Sequence, residues 1–193
     1  MFVYKSKYFF IIESIRDINL KNIKNSNKFN IIYRSRKITE NIDKLKEFRK
    51  ICRIKNINFY VSNNTKLANI LKADGVYVSA YNKSLKVAYF KNFKTKIIGS
   101  AHNIKEINIK RLQGCSSIIF SRLFATSYKY KKGFLGVIKF NLFKLSRKEN
   151  LIPLGGIRAS NLNKLNIVKC NSFALSSEIV KKPIFLSRRF FWL

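Results

Sequence analysis

The chain has 193 residues, 47% of them hydrophobic, and its 40 Lys and Arg outnumber nine Asp and Glu to leave a formal charge of +31. That length gives one domain, 1–193, with a sizeable core, and that hydrophobic content excludes global disorder. No apolar run reaches the roughly 18 residues of a membrane helix, so no membrane span is expected.

Strand and helix signals alternate along the chain, the pattern of a parallel α/β fold. The first strand is expected at Tyr8–Glu13, and Arg16–Asn25 leaves room only for a short helix or an irregular link. Phe29–Arg34 is the second strand. The clearest helix follows, with Ile38, Ile42, Leu45, Phe48 and Cys52 on one face. Asn58–Ser62 is the third strand, Leu67, Ile70 and Leu71 mark the next helix, and Gly75–Ser79 is the fourth strand. Ser84–Phe93 reads ambiguously, as a poor helix. Lys96–Ser100 is the fifth strand, and its helix opens with a capping pattern of Asn103 and Glu106. Ser116–Phe120 is the sixth, followed by a basic loop, Arg122–Lys132, and a helix carrying Val137, Ile138, Leu142 and Leu145.

The stretch Asn150 to Asn161 then organises the C-terminal third. An apolar strand ends in Gly155-Gly156, and Ser160 is expected to cap a helix with Leu162, Leu165 and Val168 inward. Such a turn lets a phosphate approach backbone N–H groups at a helix start. The eighth strand, Ser172–Ser177, also ends in small hydroxyl residues. Two such strand ends side by side suggest the phosphate site after strands seven and eight of a (β/α)8 TIM barrel, here compact, with shortened first and last helices. A lone Gly-Gly is otherwise a tight turn.

Two readings compete for the charge. Dispersed Lys, with abundant Asn and Ile, fits A/T-rich codon usage and solvated outer helices. Attraction to polyanions is the functional reading, and no five-residue basic run marks a nucleic-acid arm. Cys52, Cys115 and Cys170 lack CxxC spacing and read as reduced, mostly buried thiols of a cytoplasmic protein. The tail from Phe185 to Leu193 interleaves aromatics with Arg188 and Arg189. Closing the barrel bottom is favoured there over base stacking or membrane insertion.

In order and spacing, several pieces resemble the thiamine phosphate synthase/TenI family: Lys66-Leu67-Ala68, Ala73-Asp74-Gly75-Val76, Ile98-Gly99-Ser100-Ala101-His102, Phe124 to Lys129, Leu154-Gly155-Gly156-Ile157 and Ala174-Leu175-Ser176-Ser177. The resemblance implies a transferase of thiamine biosynthesis that joins a hydroxymethylpyrimidine diphosphate to a thiazole phosphate. It implies Gly155, Gly156, Ser176 and Ser177 around the thiazole phosphate, and Arg34, Arg36 and Lys129 around the diphosphate. Ser100 and Thr126 fall at further ligand positions of the family. Fixed cations suit a departing diphosphate, and arginine offers a bidentate fork.

Departures from the pattern bear on catalysis. The strand-two glutamine is Ile32. The family's Mg²⁺ carboxylates are Asn63 and Asn82, so Mg²⁺ binding is weakened. The histidine used by the TenI tautomerase branch is Arg122, too basic to cycle a proton near neutral pH. Extra cations, Lys131 and Lys132 among them, could neutralise the diphosphate instead. His102, the only histidine, reads as structural. No residue is singled out as catalytic, and whether the chain is an enzyme stays open. A non-catalytic phosphate-ligand-binding paralogue and a basic nucleic-acid-binding protein are the alternatives. Phosphorylated small molecules are the expected partners, with a homodimer left open.

Overall fold

The computed structural model describes residues 7–23, 27–35, 40–93, 95–126 and 133–176. Eight parallel strands close into a barrel in sequence order: β1 (Lys7–Ile12), β2 (Phe29–Tyr33), β3 (Asn58–Ser62), β4 (Gly75–Val78), β5 (Lys96–Ala101), β6 (Ser117–Ser121), β7 (Leu151–Leu154) and β8 (Ser172–Leu175). The ring closes through β1 and β8, with Lys7 opposite Ser172 and Phe9 opposite Ala174. This is the TIM barrel that the ends of strands seven and eight suggested.

Strand periodicity of two divides the apolar residues into two cores. One fills the barrel interior: Phe9, Tyr60, Ile98 and Ile152 come from odd strands, and Ile32, Tyr77, Ile119 and Ala174 from even ones. Such alternate-strand layers are how a barrel of this size fills itself. The other core lies between strands and outer elements and is rich in aromatics. Phe29 there is fully buried, with Tyr8 and Phe10 each 5.3 Å from it between ring centroids. Burying one such ring contributes about 2–3 kcal/mol.

The outer elements are α1 (Ile42–Ile54), α2 (Thr65–Ile70), α3 (Ile104–Leu112) and α4 (Gly136–Leu145), supplemented by 3-10 segments. Short 3-10 turns at Ile15–Asp17 and Leu20–Asn22 replace a first helix, as the short link required. The ambiguous stretch is a 3-10 segment, Leu85–Phe93.

Three local expectations change. In α1, Leu45, Phe48 and Cys52 are buried but Ile42 is 46% exposed, because Asn41 caps the helix from Asp43 N–H at 2.7 Å and Ile42 lies in its first, outlying turn. In α4, Ile138, Leu142 and Leu145 face solvent while Phe140 is buried. That helix is apolar all round, so periodicity could not choose its inner face. Phe143, stacked on Phe120 at 5.1 Å, helps set it. After β7 the chain enters a 3-10 segment, Ala159–Ile167, through Arg158 rather than Ser160. Asn161 Oδ1 accepts the Arg158 N–H at 2.8 Å, and Leu162, Leu165 and Val168 are buried as expected.

Candidate functional site

Beyond the interior layers, the inward-facing series of the strands runs on to the C-terminal mouth. Ser100 continues Ile98 on β5 and is 8% exposed. Arg34 continues Ile32 past the end of β2, and Ser176 continues Ala174 past β8. The mouth is therefore where the chain changes from branched and aromatic side chains to hydroxyls and a guanidinium.

Arg34 is anchored by its backbone, whose N–H donates to Ile12 O at 2.8 Å. Its Nη2 lies 3.8 Å from Glu13 Oε1, and Nε is buried without a hydrogen-bond partner among the described residues. A buried guanidinium N–H without an acceptor costs about 1–3 kcal/mol, which an anionic ligand would recover. Glu40 lies near the same strand end, where its charge acts on the Tyr33 hydroxyl. Its Oε1 accepts from Ser14 Oγ and from Ile15 N–H at 3.0 Å, while Oε2 is buried and unpartnered among the described residues. Sequence reasoning missed Glu40, since nothing marked it among the acids of helix starts and loops.

The Gly155-Gly156 turn leaves β7 with φ of +101° and +66°. The loop after β6 lies directly on it: Phe124 N–H donates to Gly155 O at 3.0 Å, and Leu123 N–H to Leu154 O at 3.0 Å. A Cβ at Gly156 would stand 2.4 Å from Ala125 O. Both glycines thus serve backbone approach as well as positive φ. That docking brings Arg122 against Gly155, and Arg122 Nη1 donates to Thr126 Oγ1 at 2.8 Å. Arg122, Thr126, Gly155 and Gly156 therefore form one cluster on the rim, and the β7 and β8 ends are adjacent through the Leu154–Ala174 pair. Arg36, Lys129 and Ser177 lie outside the described residues, as do Lys131, Lys132 and the tail.

Asn63 and Asn82 are also brought together. Asn63 sits at φ +54°, which Asn tolerates better than most residues. Its Oδ1 accepts the Ser79 N–H at 3.0 Å and Asn82 Nδ2 at 3.2 Å, while its Nδ2 donates to Ser79 Oγ at 2.9 Å. Asn82 Oδ1 accepts the Ser84 N–H at 3.0 Å. The backbone donors fix both amide orientations. Two carboxylates this close would call for a cation between them; two amides bond each other. The pair does not fit Mg²⁺, because its oxygens are neutral and already hold hydrogen bonds. No group of three or more His, Cys, Asp and Glu able to hold a metal occurs among the described residues.

The loop carrying Asn82 is tied down from α3 by two side chains that the sequence did not reveal. Lys110 is fully buried and donates to Asn82 O at 2.7 Å and to Gln113 Oε1 at 2.9 Å. Gln113 Nε2 donates to the carbonyls of Asn82 and Ser84 at 3.0 and 2.9 Å. Burial pushes the Lys110 amine down from its ordinary value, partly offset by Cys115 and Glu106. Gly99 makes room: a Cβ there would lie 2.9 Å from the Lys110 stem and from Cys115 Sγ. Burial also pushes the Cys115 and Cys52 thiols up to about 12. None of the three cysteines forms a disulfide among the described residues.

His102 closes a cap. Its N–H donates to Glu106 Oε2 at 2.7 Å, its Nδ1 lies 3.0 Å from the same oxygen, and Asn103 Oδ1 accepts the Glu106 N–H at 2.9 Å. The capping pattern read from Asn103 and Glu106 is present, and His102 belongs to it.

Comparison with known proteins bears on what this mouth holds. A family model described as thiamine monophosphate synthase (TMP-TENI) matches residues 21–179. A thiamine-phosphate synthase of Pelagibacter ubique is 29% identical over 184 residues, covering 90% of this chain and 88% of that protein. A thiamine-phosphate synthase of Prochlorococcus marinus is 30% identical over 155 residues, or 78% of this chain but 44% of that protein. Among solved structures, a thiamine phosphate pyrophosphorylase from Pyrococcus furiosus superposes with a TM-score of 0.69 at 17% identity, covering 97% of this chain and 96% of that one. The YdjI aldolase of Escherichia coli reaches 0.64 at 7% identity over 97% and 83% of the two chains, a likeness of fold alone. No helix among the described residues is long and apolar enough to cross a membrane.

Proposed function

The chain belongs to the thiamine monophosphate synthase family, and from that premise we propose that its C-terminal mouth binds a hydroxymethylpyrimidine diphosphate and a thiazole phosphate and joins them. The observation that carries this reading is the buried Nε of Arg34 at the rim, which has no hydrogen-bond partner among the described residues. The thiazole phosphate would rest on Gly155, Gly156, Ser176 and Ser177, and the diphosphate on Arg34, Arg36 and Lys129. The pyrimidine C–O bond to the diphosphate breaks with its electron pair leaving on oxygen, and the thiazole nitrogen attacks the resulting cation. Guanidinium and ammonium groups held in place stabilise the departing charge without reorganising.

A second reading rests on the Asn63–Asn82 amide pair: a paralogue that keeps the phosphate sites and has given up condensation. One experiment decides between the two. Isothermal titration with each ligand, with and without Mg²⁺, is followed by a turnover assay with both. Binding with product formation supports the synthase; binding without product at any Mg²⁺ concentration supports the paralogue. Absence of binding to either ligand, or binding indifferent to Arg34→Gln, overturns both.

A further inference from the structure

The opposite end of the barrel is also polar, and nothing in the proposed reaction uses it. At the N-terminal mouth the inward-facing series begins with Lys7, Asn30, Lys96, Ser117, Asn150 and Ser172. Interior layers of small barrels are ordinarily filled by branched apolar side chains. Here that filling starts only one layer in, with Phe9, Tyr60, Ile98 and Ile152 as a floor. Above that floor lies a cavity of about 170 Å³, several times what one water needs.

Its chemistry is one-sided. Lys7 and Lys96 head β1 and β5, which stand opposite each other in a ring of eight strands, so two exposed lysines line one mouth from opposite sides. No carboxylate occurs among the described residues lining it. The nearby Asp74 is committed elsewhere: its Oδ1 accepts from Arg49 Nη2 at 2.8 Å and its Oδ2 from Phe59 N–H at 2.7 Å. Part of the polar rim is already ordered, since Asn150 Nδ2 donates to Ser117 Oγ at 2.9 Å, which leaves the Ser117 hydroxyl hydrogen to give.

We propose that this N-terminal mouth is a second anion site, for an oxyanion of the phosphate class, held between Lys7 and Lys96 and oriented by the hydroxyls of Ser117 and Ser172. Two like charges over an apolar floor attract a counter-charge, and the chain's +31 concentrates anions nearby. The hydroxyls add donors that a tetrahedral oxyanion, with several acceptor oxygens, engages at once. The site is independent of the C-terminal mouth, and the proposal stands whether or not that mouth is catalytic.

The test is calorimetric titration of the full chain at about 0.15 M salt, which suppresses diffuse attraction. Inorganic phosphate, inorganic diphosphate and a simple phosphate monoester are titrated separately, so that a free ion and a phosphorylated metabolite are told apart. Two classes of site are expected. Lys7→Gln with Lys96→Gln removes one class, weakening it at least about tenfold, and leaves the class that Arg34→Gln removes. The control pair Lys44→Gln with Lys46→Gln changes the net charge equally and leaves both. Because the double variant has to fold to be read, lysine acetylation footprinting of the unmodified chain runs beside it. Diphosphate is expected to slow modification of Lys7 and Lys96, but not of Lys44 and Lys46. No class of site weakened by Lys7→Gln with Lys96→Gln, an equal loss in the control pair, or unprotected Lys7 and Lys96 overturns the proposal.

Discussion

Replacing Lys110 by Met tests whether the loop that carries Asn82 is held by a buried ammonium. Met keeps the stem that passes over Gly99 but removes Nζ, and with it the bonds to Asn82 O (2.7 Å) and Gln113 Oε1 (2.9 Å). Asn82 O retains Gln113 Nε2 at 3.0 Å, so the orphan is Gln113 Oε1, in a side chain with no exposed surface. An unsatisfied buried acceptor costs about 1–3 kcal/mol. Removing the desolvated charge returns part of this, so a net destabilisation of about 2 kcal/mol is expected by urea unfolding at pH 7.

The pH dependence carries the sign. Burial lowers the Lys110 pKa below the ordinary 10.5, so in the window between the two values the unfolded chain binds more protons than the folded one. Stability from this group therefore rises with pH through that window. The difference between the original chain and Lys110→Met should widen as pH rises toward 10.5, and taking the difference cancels most other groups. Equal stability within about 0.5 kcal/mol, or a difference flat in pH, would refute the argument that Lys110 is a charged anchor.

Gly156→Ala should cost about 3 kcal/mol or more, because the new Cβ meets Ala125 O at 2.4 Å and the φ of +66° is strained for any side chain; urea unfolding measures the loss, and a change under 1 kcal/mol speaks against the loop docking. Asn63→Asp with Asn82→Asp places two carboxylates where the amides now touch at 3.2 Å, a repulsion of about 1 kcal/mol in water-like surroundings. The variant's melting temperature should rise with millimolar Mg²⁺ while that of the original chain does not, and a flat response in both would contradict the metal argument. Cys52 and Cys115, with thiols pushed up to about 12, carry only about one thiolate in ten thousand at pH 8. Mass spectrometry after brief iodoacetamide treatment of the folded chain should find both unmodified, and rapid labelling of either would show that its site is open.

Much of this molecule was legible in its residues taken in order. Alternating strand and helix signals gave a parallel α/β fold, since a period of two and a helical period each follow from local backbone geometry, and the small-residue ends of the last two strands pointed to a barrel. The Asn103–Glu106 cap was readable for the same reason, since its partners lie within a few residues, whereas Gly155-Gly156 was readable only as a turn: the loop it packs against, Phe124 and Ala125, comes about 30 residues earlier. The inner face of α4 was not, because a helix apolar all round carries no preference until Phe120 offers a ring to stack on. Nor were Lys110 and Gln113 distinguishable among so many exposed polar side chains; their roles exist only because the β4 loop folds back over α3 from about 30 positions earlier. Asn63 and Asn82 could be named from the family resemblance as the positions where its carboxylates would stand. That they bond each other, and so close the site to a cation, was decided by tertiary structure, which brings together atoms that local rules do not connect.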